Sequence, residues 1–145
     1  MDIKITPMTE ELVEDVHKVE ISAFSHPWSI DSFYEEVKNP LAKYFVLIKD
    51  DKAVGYVGLW HILDEGHITN IAIKREFQGQ GLSNYLIKRI IEYKNKENLS
   101  FLTLEVRESN IKAQKLYEKY NFKKIGERKK YYKNNETAFL YSLEG

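Results

Sequence analysis

Two glycines one residue apart, Gly79 and Gly81, stand directly before an amphipathic stretch in REFQGQGLSNYLIKRIIEYK, residues 75–94. A helix N-terminus carries amide N–H groups without partners and a partial positive charge, and small residues there let a bulky anion approach the backbone. The chemistry this spacing suggests is phosphate binding; the alternative is an ordinary glycine turn. Position favours the anion, because the loop follows an apolar strand and opens the longest helix, where α/β sheets bind ligands. No Gly-Lys-Ser or Gly-Lys-Thr follows, and Asn84 stands where a dinucleotide fingerprint needs its third glycine, so neither a nucleoside triphosphatase nor a nicotinamide enzyme fits. Glu105 lies inside an apolar strand between Leu104 and Val106, where a carboxylate is either ion-paired, for instance with Arg107, or used as a base. Tyr117, on the apolar face of a helix, is either core or a proton donor. Ser109 and Asn110 read as a helix N-cap.

Other chemistries are excluded by composition. The chain of 145 residues has no cysteine, which removes disulfides, thiolate metal ligands and a Cys nucleophile together. His17, His26, His61 and His67 show no metal-ligand spacing, so no metal site is expected. Lys plus Arg and Asp plus Glu both number 22, which leaves no global field to attract a polyanion, and nucleic acid is not expected as a direct partner. The basic cluster ERKKYYK reads as a solvated face. The start, MDIKITPMTEEL, lacks a secretory pattern and no apolar run reaches membrane-spanning length, so a cytoplasmic protein without membrane contact is expected.

The elements that must hold these residues follow from periodicity. IKITPM reads as a strand closed by Pro7. Thr9 is a candidate N-cap for a first helix carrying Leu12, Val16, Val19 and Ala23; Ser29 caps a second with Ile30, Phe33, Tyr34 and Val37, stopped by Pro40. Tyr44 to Ile48, Ala53 to Ile62 and His67 to Ile73 predict an antiparallel meander, with turns at Asp50-Asp51 and Asp64-Glu65-Gly66. A helix follows with Leu82, Leu86 and Ile90 in one row, ending near Asn98. Next come the strand FLTLEV, a helix presenting Ala113, Leu116, Tyr117 and Tyr120, and two strands, Lys123 to Tyr132 and Thr137 to Leu143, around Lys133-Asn134-Asn135. Strand, helix, strand in the centre implies a right-handed parallel crossover. The expected architecture is one α/β domain over 1–145. Its mixed, mostly antiparallel sheet has about seven strands, a central parallel pair and about four helices on both faces.

These residues carry a resemblance. QGQGLS resembles the pyrophosphate loop Q/R-x-x-G-x-G/A of the GNAT superfamily of N-acetyltransferases, with Gln78 and Gly81 in matching places and Ser83 in place of the final Gly or Ala. LEVRESNIKAQKLYEKYNFKKIGERKKYY is similar to the Leu-Glu-Val-Arg-x-Ser-Asn, Leu-Tyr, Gly-Phe and Tyr-Tyr series of the ribosomal-protein-alanine N-acetyltransferases within it; HPWS and LDEGHITNIAI also match. Asn121 replaces a glycine before Phe122, at a left-handed position after a helix that Asn tolerates.

The resemblance implies acetyl-coenzyme A as cosubstrate and a ribosomal protein N-terminus, by analogy an alanine, as acceptor. Direct transfer needs a neutral amine, a stabilised oxyanion and a proton for the departing thiolate. It implies Glu105 as general base, directly or through water, and Tyr117 as the acid beside the sulfur. Coenzyme contacts are implied for Ile71, Ala72 and Ile73, on a strand that splays from its parallel neighbour, for Gln78, Gly79, Gln80, Gly81, Leu82 and Ser83, and for Asn110 and Tyr117. Trp28, Phe33, Asp64, Glu65, Tyr131 and Tyr132 are candidates for the acceptor groove, each with an alternative as packing or turn residue. Two other readings stay open: transfer to a small amine or lysine side chain, and a non-catalytic acyl-coenzyme A-binding module. Oligomeric state is left open.

Overall fold

The β2–β3 hairpin shows how locally this chain specifies its sheet. Its turn residues Asp50 and Asp51 both sit at left-handed φ, 50° and 68°, matching the twist of the strands they join. A computed structural model describes residues 2–145 and places β1 (Ile3–Pro7), β2 (Ala42–Lys49), β3 (Lys52–Ile62), β4 (Glu65–Ile73), β5 (Phe101–Arg107), β6 (Lys123–Arg128) and β7 (Ala138–Glu144) in one sheet. Their order is β1-β2-β3-β4-β5-β7-β6, antiparallel throughout except for β4 against β5. The helices are α1 (Val13–Ala23), α2 (Ile30–Lys38), α3 (Ser83–Lys96) and α4 (Ile111–Lys119).

The expected mixed sheet, its parallel pair and its four helices are all present. One face packs α1 and α2, where Val13, Val16, Val19 and Phe33 meet Tyr44, Val46, Ile48, Tyr56 and Ala72. The other packs α3 and α4, where Leu86, Ile87, Ile90 and Tyr117 share a core with Leu47, Val57, Leu102, Leu104, Val106, Phe122 and Tyr141. Each fully buried Leu or Ile contributes about 1.5–3 kcal/mol, so these two faces hold the sheet in place.

Three local expectations are corrected. Thr9 precedes a 3₁₀ turn, Glu10–Leu12, and its side chain caps nothing; α1 begins at Val13. The β3–β4 turn lies at Leu63 and Asp64, with Leu63 left-handed at φ 54°, so Glu65 and Gly66 already belong to β4. β6 ends at Arg128, because Lys130 turns left-handed (φ 53°) and Arg107 stacks on the Tyr132 ring at 3.9 Å, holding Tyr131 and Tyr132 in a loop.

What matters most for function is where β4 and β5 part. They pair only over Glu65–Phe101, Gly66–Leu102 and His67–Thr103. His67 pins this stretch: its Nδ1 meets Thr103 Oγ1 and its Nε2 meets Glu65 Oε1, both at 2.9 Å. Beyond it a bulge intervenes, since β3 pairing steps from Leu59–Ile68 to Gly58–Asn70 and leaves Thr69 over. The bulge turns two successive side chains to the α1 face. Thr69 Oγ1 bonds the Tyr44 hydroxyl at 2.9 Å, and Asn70 reaches Glu20 of α1. Downstream, Asn70–Ile73 pair only with β3 and Leu104–Arg107 only with β7, so the sheet is split at the C-terminal ends of its two parallel strands.

Candidate active site

The split opens onto a cavity of about 490 Å³ lined by Ile71, Ala72 and Ile73 from β4, residues of the glycine loop, and Asn110, Ala113, Leu116 and Tyr117 from α4. Both α3 and α4 start at its rim. Gly79 and Gly81 adopt φ of 83° and 75°, conformations that side-chain-bearing residues rarely hold, and a Cβ at Gly79 would meet open space. Among the described residues the amides of Gly79, Gln80, Gly81, Leu82 and Ser83 donate to no backbone carbonyl; the first bonded amides are Asn84, to Gly81 O, and Tyr85, to Leu82 O. Five successive free N–H groups at the positive end of a 14-residue helix suit the pyrophosphate of a coenzyme.

Side chains hold the loop from behind. Gln78 Nε2 donates to Ile73 O at 2.9 Å, tying the loop to the end of β4. Asn84 Nδ2 donates to Gly81 O at 3.0 Å, while its Oδ1 accepts from Lys119 Nζ at 3.0 Å and the Tyr120 hydroxyl at 2.6 Å, which locks α3 to α4. Asn110 caps α4, its Oδ1 accepting from the Ala113 amide at 3.1 Å. The Gln80 side chain faces Lys49, whose Nζ donates to it at 2.9 Å, so Gln80 offers this site its backbone amide only. Phe24, Phe77, Asn84 and Lys112 also line it. Sequence reasoning missed them, since an aromatic after a helix and a polar residue inside one carry no signal of their own.

Tyr117 is 5% exposed and lines the cavity; burial pushes its phenol well above the ordinary value. Glu105 lies on the other side of the sheet. Its neighbours Leu104 and Val106 point into the core shared with Tyr117, so strand alternation turns Glu105 to the face that α1 and α2 leave open. Its ion pair is with Arg128, Nη1 to Oε1 at 3.6 Å, and not with Arg107, which pairs with Glu136 at 3.6 Å. Tyr132 is close enough that the Glu105 charge, after burial, raises its phenol. Tyr131 packs edge-on against Tyr132 with ring centres 5.3 Å apart and is 51% exposed. Glu105, Arg128, Tyr131 and Tyr132 thus form one cluster, and Glu65 joins its face through His67 and Thr103.

One acceptor candidate, Phe33, is corrected. Phe33 is fully buried between Trp28 and Tyr56, with ring centres at 5.6 and 5.5 Å, and is core. Asp64 is a turn residue whose Oδ2 accepts from the Ser100 hydroxyl. Trp28 is half-buried against Phe33, at the start of α2.

The geometry has counterparts. The acetyltransferase (GNAT) family model matches residues 12–122. The chain is 43% identical over 135 residues to a putative [ribosomal protein bS18]-alanine N-acetyltransferase of Bacillus subtilis, covering 92% of this chain and 89% of that one. It is 32% identical over 132 residues to the [ribosomal protein bS18]-alanine N-acetyltransferase of Escherichia coli, covering 88% and 87%. A crystal structure of that Escherichia coli activity superposes with a TM-score of 0.93 at 28% identity, covering 99% of this chain and 94% of that one. The chain belongs to the acetyltransferase (GNAT) family and is an acetyl-coenzyme A-dependent N-acetyltransferase.

Proposed function

We propose that this chain acetylates the N-terminal α-amine, an alanine, of a ribosomal protein, with residues 1–145 acting as one catalytic domain in the cytoplasm. The observation that carries the proposal is the split between β4 and β5. It is the passage through which Glu105, on one face, and Tyr117, on the other, can act on the same reacting atoms. The names borne by the relatives from Bacillus subtilis and Escherichia coli support the acceptor. Among the described residues no helix is long and apolar enough to cross a membrane.

The coenzyme's thioester supplies the activated acetyl group; the chain supplies position and proton handling. The amides of residues 79–83 and the α3 N-terminus hold the pyrophosphate, and Asn110 and the Ile71–Ile73 edge line the path to the split. Glu105 takes the proton of the incoming amine, directly or through one water, and Arg128 fixes its carboxylate. An α-amine, with a pKa of about 8 against about 10.4 for lysine, asks little of that base at neutral pH. Tyr117, kept protonated by burial, donates to the departing sulfur. Trp28, Glu65, Tyr131 and Tyr132 border the open face along which a peptide N-terminus reaches Glu105.

The test is thiol release from acetyl-coenzyme A with two peptides of one ribosomal sequence, one with a free N-terminal alanine and one blocked there. Release with the free peptide alone is expected. Silence from both would discard this acceptor and move the search to small amines or to a binding role.

A further inference from the structure

Beneath the bulge in β4 lies a carboxylate that the chemistry above does not use. Glu20, on the sheet-facing side of α1, is 1% exposed, and among the described residues no lysine, arginine or histidine pairs with it. Taking a charge out of water is costly unless its lone pairs are met, and here they are met by neutral donors. Oε1 accepts from the Tyr56 hydroxyl at 2.6 Å and from Asn70 Nδ2 at 3.2 Å; Oε2 accepts from the Trp28 backbone N–H at 3.0 Å. Burial and the Glu20 charge both raise the Tyr56 phenol well above its ordinary value, so it remains a donor.

One group therefore ties together α1, β3, β4 just past its bulge, and the first residues before α2. Its effect on Asn70 is directional. A carboxylate can only accept, so Asn70 must present Nδ2 to Glu20 and turn Oδ1 the other way, where it accepts from the Ile71 N–H at 3.0 Å. Ile71 is the first cavity-lining residue of the split edge, and Trp28, which the proposed function sets beside the acceptor, stands just before α2. An apolar residue would pack α1 against the sheet equally well without setting this amide.

We propose that Glu20 is a positioning residue for acetyl transfer: it fixes the Asn70 amide, and through it the Ile71 edge, while anchoring the entry to α2 beside the acceptor face. The inference rests on the acetyl-transfer reading of the site. It predicts a larger defect in turnover than in coenzyme capture, because the amides of residues 79–83 and their support Asn84 bond none of Glu20, Asn70, Tyr56 and Ile71.

The experiment compares wild type, Glu20→Gln, the exchange Glu20→Gln with Asn70→Asp, and Tyr56→Phe, measuring kcat, KM for acetyl-coenzyme A, Tm and the amide NMR signal of Ile71. A glutamine can also donate, so Asn70 no longer has to present Nδ2 to it, and the sense of the amide is left to the Tyr56 hydroxyl and the Ile71 N–H. Glu20→Gln is expected to lower kcat by about 10-fold, the scale of one charge-assisted hydrogen bond, with KM for acetyl-coenzyme A within about 2-fold and the Ile71 signal moved. The exchange restores a donor and an acceptor to the pair and is expected to recover most of kcat. Unchanged kcat in Glu20→Gln overturns the proposal, as does a loss that follows Tm and is not recovered by the exchange. If Glu20→Gln does not fold, Tyr56→Phe decides: a several-fold loss of kcat at constant KM supports the role, and full kcat removes it. Should wild type acetylate no peptide, the functional reading fails by itself. The Ile71 signal then decides alone, an unmoved signal in Glu20→Gln overturning the positioning role.

Discussion

The two sides of the split are built differently. The side proposed for the coenzyme consists of backbone amides, two left-handed glycines and mostly apolar side chains, drawn chiefly from two segments, 71–84 and 110–117, with Ala23 and Phe24 beside them. The acceptor side consists of long side chains from remote places: Glu105 on β5, Arg128 at the end of β6, Tyr131 and Tyr132 in the loop after it. A diphosphate asks for a fixed row of N–H groups, which local chain geometry can supply. An acceptor is recognised by side chains that the fold must bring together, and their loop is held by Arg107, which stacks on Tyr132, pairs with Glu136 and donates to Asn134, and by the Ser109 hydroxyl donating to Glu136. Substitutions on the two sides should therefore separate in kinetics.

The largest effect is expected at Glu105, where the sides meet. Glu105→Gln should lower kcat by about 10²–10⁴-fold, the range of general base catalysis, while acetyl-coenzyme A binding, followed by calorimetry, stays as in wild type. A parallel loss of coenzyme affinity would erase the distinction between the sides. Next is Gly81→Ala, which forces a Cβ onto φ 75° at a cost of about 1–2 kcal/mol. KM for acetyl-coenzyme A should rise roughly 5- to 30-fold with KM for peptide unchanged. On the other side, Tyr131→Ala should show the converse, a rise of several-fold in peptide KM alone, since Tyr131 is half exposed and touches nothing of the cavity.

The smallest effect is invisible at neutral pH. Tyr44, Tyr56 and Tyr117 are buried and their phenols are raised above the ordinary value of 10.0, chiefly by desolvation. The folded state then holds protons that the unfolded chain releases above about pH 10. Their stabilising share is complete below that pH and is lost as pH rises towards the folded values, by about 1.4 kcal/mol per pH unit for each tyrosine. Denaturant unfolding between pH 9 and 11.5 should show a steep alkaline fall, and Tyr117→Phe should reduce its slope by about one tyrosine's worth.

Much of the coenzyme side could be read in advance. Gly79 and Gly81 before an amphipathic run already specify free amides at a helix N-terminus, and Asn110 is recognisable as a cap because capping is local. Glu105 stood out as a charge among aliphatic residues. Its partner did not: Arg107, two residues away, was the obvious candidate, yet the β6–β7 pairing delivers Arg128. Phe33 and Trp28 looked equivalent as aromatics near α2, and only packing shows Phe33 enclosed and Trp28 at the margin. Glu20 gave no signal at all, because a glutamate in an amphipathic helix is ordinarily solvated and its burial depends on where α1 crosses β3 and β4.

By itself the sequence determined the order of strands and helices and the glycine cradle, and it marked Glu105 as a charge in an apolar strand, since periodicity, caps and left-handed turns act over a few residues. Tertiary structure alone decided that β4 and β5 separate after His67, that a bulge at Thr69 aims Asn70 at Glu20, and that Glu105 and Tyr117 lie on opposite faces of the sheet. Those features depend on register and on contacts between residues tens of positions apart, and no local preference of the chain encodes them.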